Sequence, residues 1–113
     1  MLPAGRYYVG DLCYVVEGDD WDRLLDITNF GDGEFKIDGV RFAIYGTMYG
    51  DGTYIDEQGR DYDVDSGTIG CIPISYTKGG ISGGQEISFG SSFRTGVEDG
   101  EIFFGDVSIQ TDL

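Results

Sequence analysis

Glu34-Phe35-Lys36-Ile37-Asp38-Gly39-Val40-Arg41-Phe42-Ala43-Ile44-Tyr45 reads as two strands around a two-residue turn. Asp-Gly is a favoured pair for a type I′ hairpin, whose two central residues both take positive φ. Phe35 and Ile37 alternate with Glu34 and Lys36, and Val40, Phe42 and Ile44 alternate with Arg41 and Ala43. Side chains on a strand point alternately to its two faces, so this pattern gives one apolar face and one wetter face.

The same grammar extends in both directions. Arg6–Val9 and Cys13–Val16 read as strands interrupted at Gly10-Asp11-Leu12, where a bulge or sharp turn is expected. A single helix is predicted near residues 20–27, capped by Asp19 or Asp20, with Trp21, Leu24 and Leu25 on its apolar side. Thr28 to Gly33 is loop. Beyond the hairpin, short strands are expected at Thr53–Ile55 and Asp61–Val64, bounded by Gly50-Asp51-Gly52 and Glu57-Gln58-Gly59. A longer strand over Thr68–Tyr76 contains Pro73, which cannot donate to a ladder and suggests an edge or bulged position. Lys78–Gly84 is a flexible glycine loop. Strands near Glu86–Phe89, Phe93–Val97 and Glu101–Phe104 follow, with Val107–Thr111 closing the sheet. Twenty glycines, eight tyrosines and only two prolines fit many short strands and tight turns. The expected fold is all-β, or β-rich α+β: a compact antiparallel barrel or sandwich with one short helix, in one domain over residues 1–113.

Twenty-one acidic against seven basic residues and no histidine give a formal charge of −14 over 113 residues. Such a surface repels phosphate backbones and anionic membranes and favours cationic partners. With 40% hydrophobic residues the chain is too apolar to remain disordered despite that charge. Cys13 and Cys71 could form one disulfide, but two cysteines far apart carry no framework and show no metal-binding spacing, and they read as small buried hydrophobes in a reducing compartment. No segment approaches the roughly 20 apolar residues of a membrane helix, and the start of the chain has no basic stretch followed by an apolar run. A cytoplasmic location is expected.

The density of possible chemistry is highest from Tyr45 to Tyr76, where Asp51, Asp56, Glu57, Asp61, Asp63 and Asp65 share a segment with one cation, Arg60. Gly80-Ile81-Ser82-Gly83-Gly84 matches G-x-S-x-G, but a nucleophile elbow needs a strand-to-helix turn and a histidine partner. Without imidazole there is no histidine-based triad and no activated thiol of the Cys-His kind. Asp61-Tyr-Asp-Val-Asp-Ser resembles the opening of a calcium loop. However, Ser66 stands at the loop glycine and Ile72 at the bidentate glutamate, which excludes an EF-hand. On a strand, Asp61, Asp63 and Asp65 would share a face, where a hard cation could bind together with Asp51 or Asp56. Any acidic chain holds carboxylate pairs, so none is selected for acid/base catalysis. A non-enzymatic protein with no cofactor is expected.

Leu2–Tyr14, containing Gly10-Asp11-Leu12-Cys13-Tyr14, together with Tyr49-Gly-Asp-Gly-Thr-Tyr54 and Val64-Asp-Ser-Gly-Thr-Ile-Gly70, resembles a group of small phage and bacterial proteins. In that group a G-D-P-C-Y segment precedes Y-G-D-G and V-D-[SA]-G; here Leu12 replaces the proline. The group carries no assigned activity. The resemblance implies a phage or bacterial origin and a role for Asp11, Asp51 and Asp65, while turn formation is the plainer use of the same Asp-Gly and Gly-Asp pairs.

Two functional classes follow. The first is a phage-type acidic inhibitor or DNA-mimic decoy, directed at a basic nucleic-acid-binding protein such as a host defence nuclease or RNA-guided complex. Its carboxylate rows would be Asp19, Asp20, Asp22 and Asp26 on the helix and Asp56, Glu57, Asp61, Asp63 and Asp65 on the central turn. The second is a small-ligand module for a nucleotide-like signal. There Tyr45, Tyr49, Tyr54 and Tyr62 would stack a base, turn N–H groups near Asp11 and Asp51 would take phosphate, and Arg41, Arg60 or Arg94 would offset the charge.

Overall fold

The computed structural model describes residues 1–77 and 80–112; Lys78 and Gly79 of the expected glycine loop lie outside the described residues. In chain order the strands are β1 (Gly5–Gly10), β2 (Gly33–Ile37), β3 (Val40–Gly46), β4 (Gly52–Ile55), β5 (Asp61–Val64), β6 (Thr68–Pro73), β7 (Gln85–Phe89), β8 (Thr95–Glu98), β9 (Glu101–Phe104) and β10 (Val107–Gln110). The helix α1 spans Gly18–Thr28. Asp38 and Gly39 join β2 to β3 with φ of 52° and 79°, and Ile37 faces Val40 across the turn, as a type I′ hairpin requires. Asp99 and Gly100, at 50° and 81°, make a second such turn between β8 and β9.

β2, β3, β6, β1 and β7 lie in that order in one fully antiparallel sheet, β10, β9 and β8 form a three-stranded meander, and β4 and β5 form a separate hairpin. Strand alternation divides the core in two. Tyr7, Val9, Ala43, Tyr45, Ile69 and Cys71 face the hairpin and meander, where they meet Tyr62, Val64, Ile102, Phe104 and Ile109. Tyr8, Phe42, Ile44 and Ile72 face the other way, against Leu12, Val15, Val16 and Leu24. The result is three layers: helix, central sheet, and meander plus hairpin. The central sheet keeps two free edges in β2 and β7, so it is an open layered arrangement in place of a closed barrel. Both cores hold fully buried aromatics; truncating one such as Phe42 to Ala costs about 3–5 kcal/mol.

Several sequence expectations change. Cys13–Val16 is not a strand. The Asp11 carboxylate accepts the Cys13 N–H at 3.0 Å, starting a 3-10 turn over Leu12–Tyr14, and Val15 and Val16 N–H both donate to the Leu12 carbonyl. That turn lets Leu12, Val15 and Val16 all face one core, which an alternating strand would not. The helix begins earlier than expected: Glu17 occupies the N-cap without a side-chain bond, leaving Asp19 and Asp20 in the first turn. Pro73 is not on an edge strand. It ends the central strand β6, and Ile74–Tyr76 continue as a 3-10 turn. β10 pairs along its length with β9 and makes one further bridge, from Ile109 to Asp56, but among the described strands it closes no larger sheet.

Candidate functional site

On α1, Asp19, Asp22 and Asp26 are exposed and recur at i, i+3 and i+7, so they form one stripe along the helix. None of the three makes an ion pair among the described residues. Asp20 differs, because Arg23 bonds it at 3.1 Å and bonds Asp38 at 2.5 Å. The stripe stays on the outside because Trp21, Leu24 and Thr28 turn the opposite face of the helix toward the sheet. Asp19 and Asp20 also sit near the positive end of the helix dipole, which favours them there. At the far end the chain leaves the helix through Asn29 and Phe30, both left-handed at φ 52° and 58°. This holds the Phe30 ring 78% exposed. Phe30 falls in a segment that the sequence marked only as loop; an aromatic flanked by Asn29 and Gly31 was the one available sign.

The central hairpin divides the second set of carboxylates. Asp61 and Asp63 on β5 are exposed, Asp65 lies just past the strand and is exposed, and Glu57 is exposed but accepts the Ser108 N–H at 2.8 Å. Asp63 also accepts the Thr53 hydroxyl at 3.0 Å. Asp56 is no part of this row, since it is buried. Its carboxylate accepts Gln58 N–H at 2.9 Å, Arg60 N–H at 3.0 Å, Arg60 Nε at 2.6 Å and the Tyr62 hydroxyl at 2.7 Å. Burial alone would raise the Asp56 carboxyl, but the hydrogen bonds from Tyr62 and Arg60 and from the backbone N–H groups outweigh it and hold it below the usual carboxylate range. Asp56 therefore organises the turn. α1 packs on one face of the central sheet and the β4–β5 hairpin on the other.

The tyrosines expected to stack a base are not available for it. Tyr62, Tyr54 and Tyr45 belong to the core, with hydroxyls bound to Asp56, to the Gly50 carbonyl and to Thr95. Tyr49 alone is exposed. Burial, and after it the hydrogen bond to Asp56, pushes the Tyr62 phenol upward.

The three sequence motifs meet at one end of the central sheet. Asp11 is fully buried and accepts Asp65 N–H and Ser66 N–H at 2.7 Å each and the Ser66 hydroxyl at 2.8 Å, besides the bond to Cys13. Thr47 N–H donates to the Gly67 carbonyl at 2.9 Å, which ties the segment before Tyr49-Gly50-Asp51-Gly52 to the loop after Val64. Asp51 itself is exposed on its turn. Asp11 thus serves as a pin between loops, with its acceptor capacity used internally. The neighbouring Cys13 thiol is pushed up to about 12 by burial and by the Asp11 carboxylate, which makes it a poor nucleophile. Both cysteines are free, and Cys71 is buried. Among the described residues no three His, Cys, Asp or Glu side chains converge to hold a metal ion. No described helix is long and apolar enough to cross a membrane. Comparison with known families, with curated proteins and with solved structures finds no match to this chain.

Proposed function

We propose that this protein is a non-enzymatic acidic inhibitor or decoy that binds the nucleic-acid groove of a basic protein through α1. The observation that carries this reading is the stripe of Asp19, Asp22 and Asp26, exposed and without cations of its own among the described residues. At 1.5 Å per residue the stripe is roughly 10.5 Å long, about the distance one DNA strand advances in three phosphate steps. Phe30 supports the reading from a second direction. It lies past the end of α1, on the side of Trp21, Leu25 and Thr28, and offers a partner seated on the helix an apolar side chain to bury, while the carboxylates steer encounter and set specificity. Asp61, Asp63 and Asp65 form a second contact row on the other side of the sheet, suited to a partner that wraps around the hairpin. The phage or bacterial origin implied by the motif resemblance makes a host defence nuclease or RNA-guided complex the partner class.

The test is affinity capture from a bacterial lysate at low and moderate salt. Wild type is compared with Asp19→Asn/Asp22→Asn/Asp26→Asn and with Asp61→Asn/Asp63→Asn/Asp65→Asn. Support consists of salt-sensitive capture of nucleic-acid-binding proteins, competed by duplex DNA and lost in the α1 triple variant. Capture that is indifferent to both triple variants, or to competing DNA, refutes the proposal.

A further inference from the structure

A cleft of about 740 Å³ opens between β7, the turn at residues 90–94, the β9–β10 turn and the tip of the β4–β5 hairpin, where Gln58 and Arg60 line it. That volume lies in the range of small-molecule sites. We propose that this cleft binds a small anionic ligand of a particular class, a phosphomonoester carried on a flat ring.

The cations make the first half of the case. Arg6 is engaged by Glu86, Arg23 by Asp20 and Asp38, and Arg41 by Glu34 and the Met1 carbonyl. Arg60 and Arg94 both line the cleft. Asp56 fixes Arg60 through its backbone N–H and Nε only, leaving both Nη groups without a partner among the described residues. Arg94 is exposed and makes no ion pair among the described residues. Guanidinium groups present planar forks of N–H donors that match phosphate oxygens two at a time. One of the forks is positioned in advance by a buried carboxylate, so little of its ordering cost falls on binding. Ser91 and Ser92, on the same turn as Arg94, line the wall with hydroxyl donors.

Aromatic side chains line the cleft beside the charges. Phe93 is buried and stacked on Phe89, with ring centroids 3.8 Å and planes 13° apart, so Phe89 and the half-buried Phe103 are the rings that present surface to the cleft. Such a surface takes a flat ring by stacking or edge contact. Asp106 is the one carboxylate lining the cleft, while Asp56 stands behind Arg60 and Glu57 acts on the same guanidinium, so the two arginines partly offset the acidity of the molecule there. At physiological ionic strength the more distant carboxylates are screened beyond roughly 8 Å, and the local guanidinium groups decide the outcome.

The experiment is an amide chemical-shift titration of the whole chain with adenosine 5′-monophosphate, adenosine and inorganic phosphate as separate probes. Wild type, Arg94→Ala and Arg23→Ala are compared. The proposal expects the monophosphate to shift the Ser91, Ser92 and Arg94 amides, and to bind more tightly than either half of it. Arg94→Ala should weaken it at least tenfold, and Arg23→Ala should leave it unchanged. Arg94 is exposed and bonded through its side chain to nothing described, so its loss does not threaten the fold. Absence of shifts at the cleft overturns the proposal. So does an affinity for inorganic phosphate equal to that for the nucleotide, or an affinity unchanged in Arg94→Ala. The cleft is separate from α1, and failure here leaves the decoy reading standing.

Discussion

Replacing Asp56 should unfold the hairpin that an exposed acidic residue would leave intact. Three costs arise in Asp56→Ala. Tyr62 is fully buried and loses the only acceptor its hydroxyl has among the described residues, at about 1–3 kcal/mol for an unsatisfied buried donor. The Gln58 and Arg60 N–H groups lose an acceptor, but on an exposed turn that water reaches, at roughly 0.5–1 kcal/mol each. Arg60, with its side chain 31% exposed, loses an ion pair whose value solvent screening limits to under about 1 kcal/mol. The sum is about 2–6 kcal/mol, a large part of the roughly 5–15 kcal/mol that holds a domain together. In a chain of 113 residues it corresponds to a fall in Tm on the order of 10–20 °C. Urea denaturation of Asp56→Ala, Tyr62→Phe and the double variant measures it. The double variant should cost about 1–2 kcal/mol less than the sum of the singles, because removing the hydroxyl removes the orphan. Asp19→Ala and Asp61→Ala serve as exposed references, expected within about 0.5 kcal/mol of wild type. If Asp56→Ala falls in that same narrow band, the carboxylate faces water and the account of the turn is refuted.

Phe30→Gly relieves a left-handed strain of roughly 1–2 kcal/mol and gives back about 0.4–1 kcal/mol through the freer unfolded chain. Equilibrium denaturation should therefore show unchanged or slightly higher stability, while capture of the basic partner weakens. Gly70→Ala places a Cβ 2.7 Å from Leu12 Cδ1 and 2.8 Å from the Ala43 carbonyl oxygen, and should cost about 1–3 kcal/mol by urea titration, whereas Gly90→Ala, which meets nothing within 4 Å, should be neutral. Stability should plateau between about pH 5 and 8 and fall on both sides, as followed by thermal melts. Asp56 is held below its unfolded value, so its contribution is present above about pH 4 and lost as pH falls through the folded value. Burial raises the Tyr8 and Tyr62 phenols well above their ordinary value and pushes the Cys13 thiol up to about 12; their contributions are present below the unfolded values near pH 8.5–10 and lost as pH rises through the folded ones.

The hairpin at Asp38-Gly39 was legible because turn chemistry and strand alternation there point to the same answer. The ends of strands were not, because they depend on partners distant in sequence. Cys13–Val16 has the β-branched and aromatic composition of a strand, but the Asp11 carboxylate, by bonding Cys13, Asp65 and Ser66 at once, turns the chain first. No reading of residues 11–16 alone contains that instruction, since two of the three donors lie more than fifty positions away. Pro73 misled for the same reason. Its missing N–H suggested an edge, whereas the end of a central strand serves equally well.

The acidic residues divide along the same line, and the division changes how the proposed function must be probed. Sequence shows that they are numerous, but not which are already engaged. Asp11 and Asp56 are buried and fully bonded, Asp20 is paired, and Asp19, Asp22 and Asp26 are left facing water. A carboxylate in the first group is exchanged for Asn only at the expense of the fold, so loss of binding in an Asp56 variant would report unfolding as readily as a lost contact. A carboxylate in the last group can be neutralised with little effect on stability. Any loss of binding on neutralising the α1 stripe therefore reports the interface itself. Charge alone would give each lost carboxylate an equal share of the effect; a stripe seated in a groove would instead make the α1 set matter far more than three exposed acids elsewhere, such as Asp51, Asp99 and Asp112.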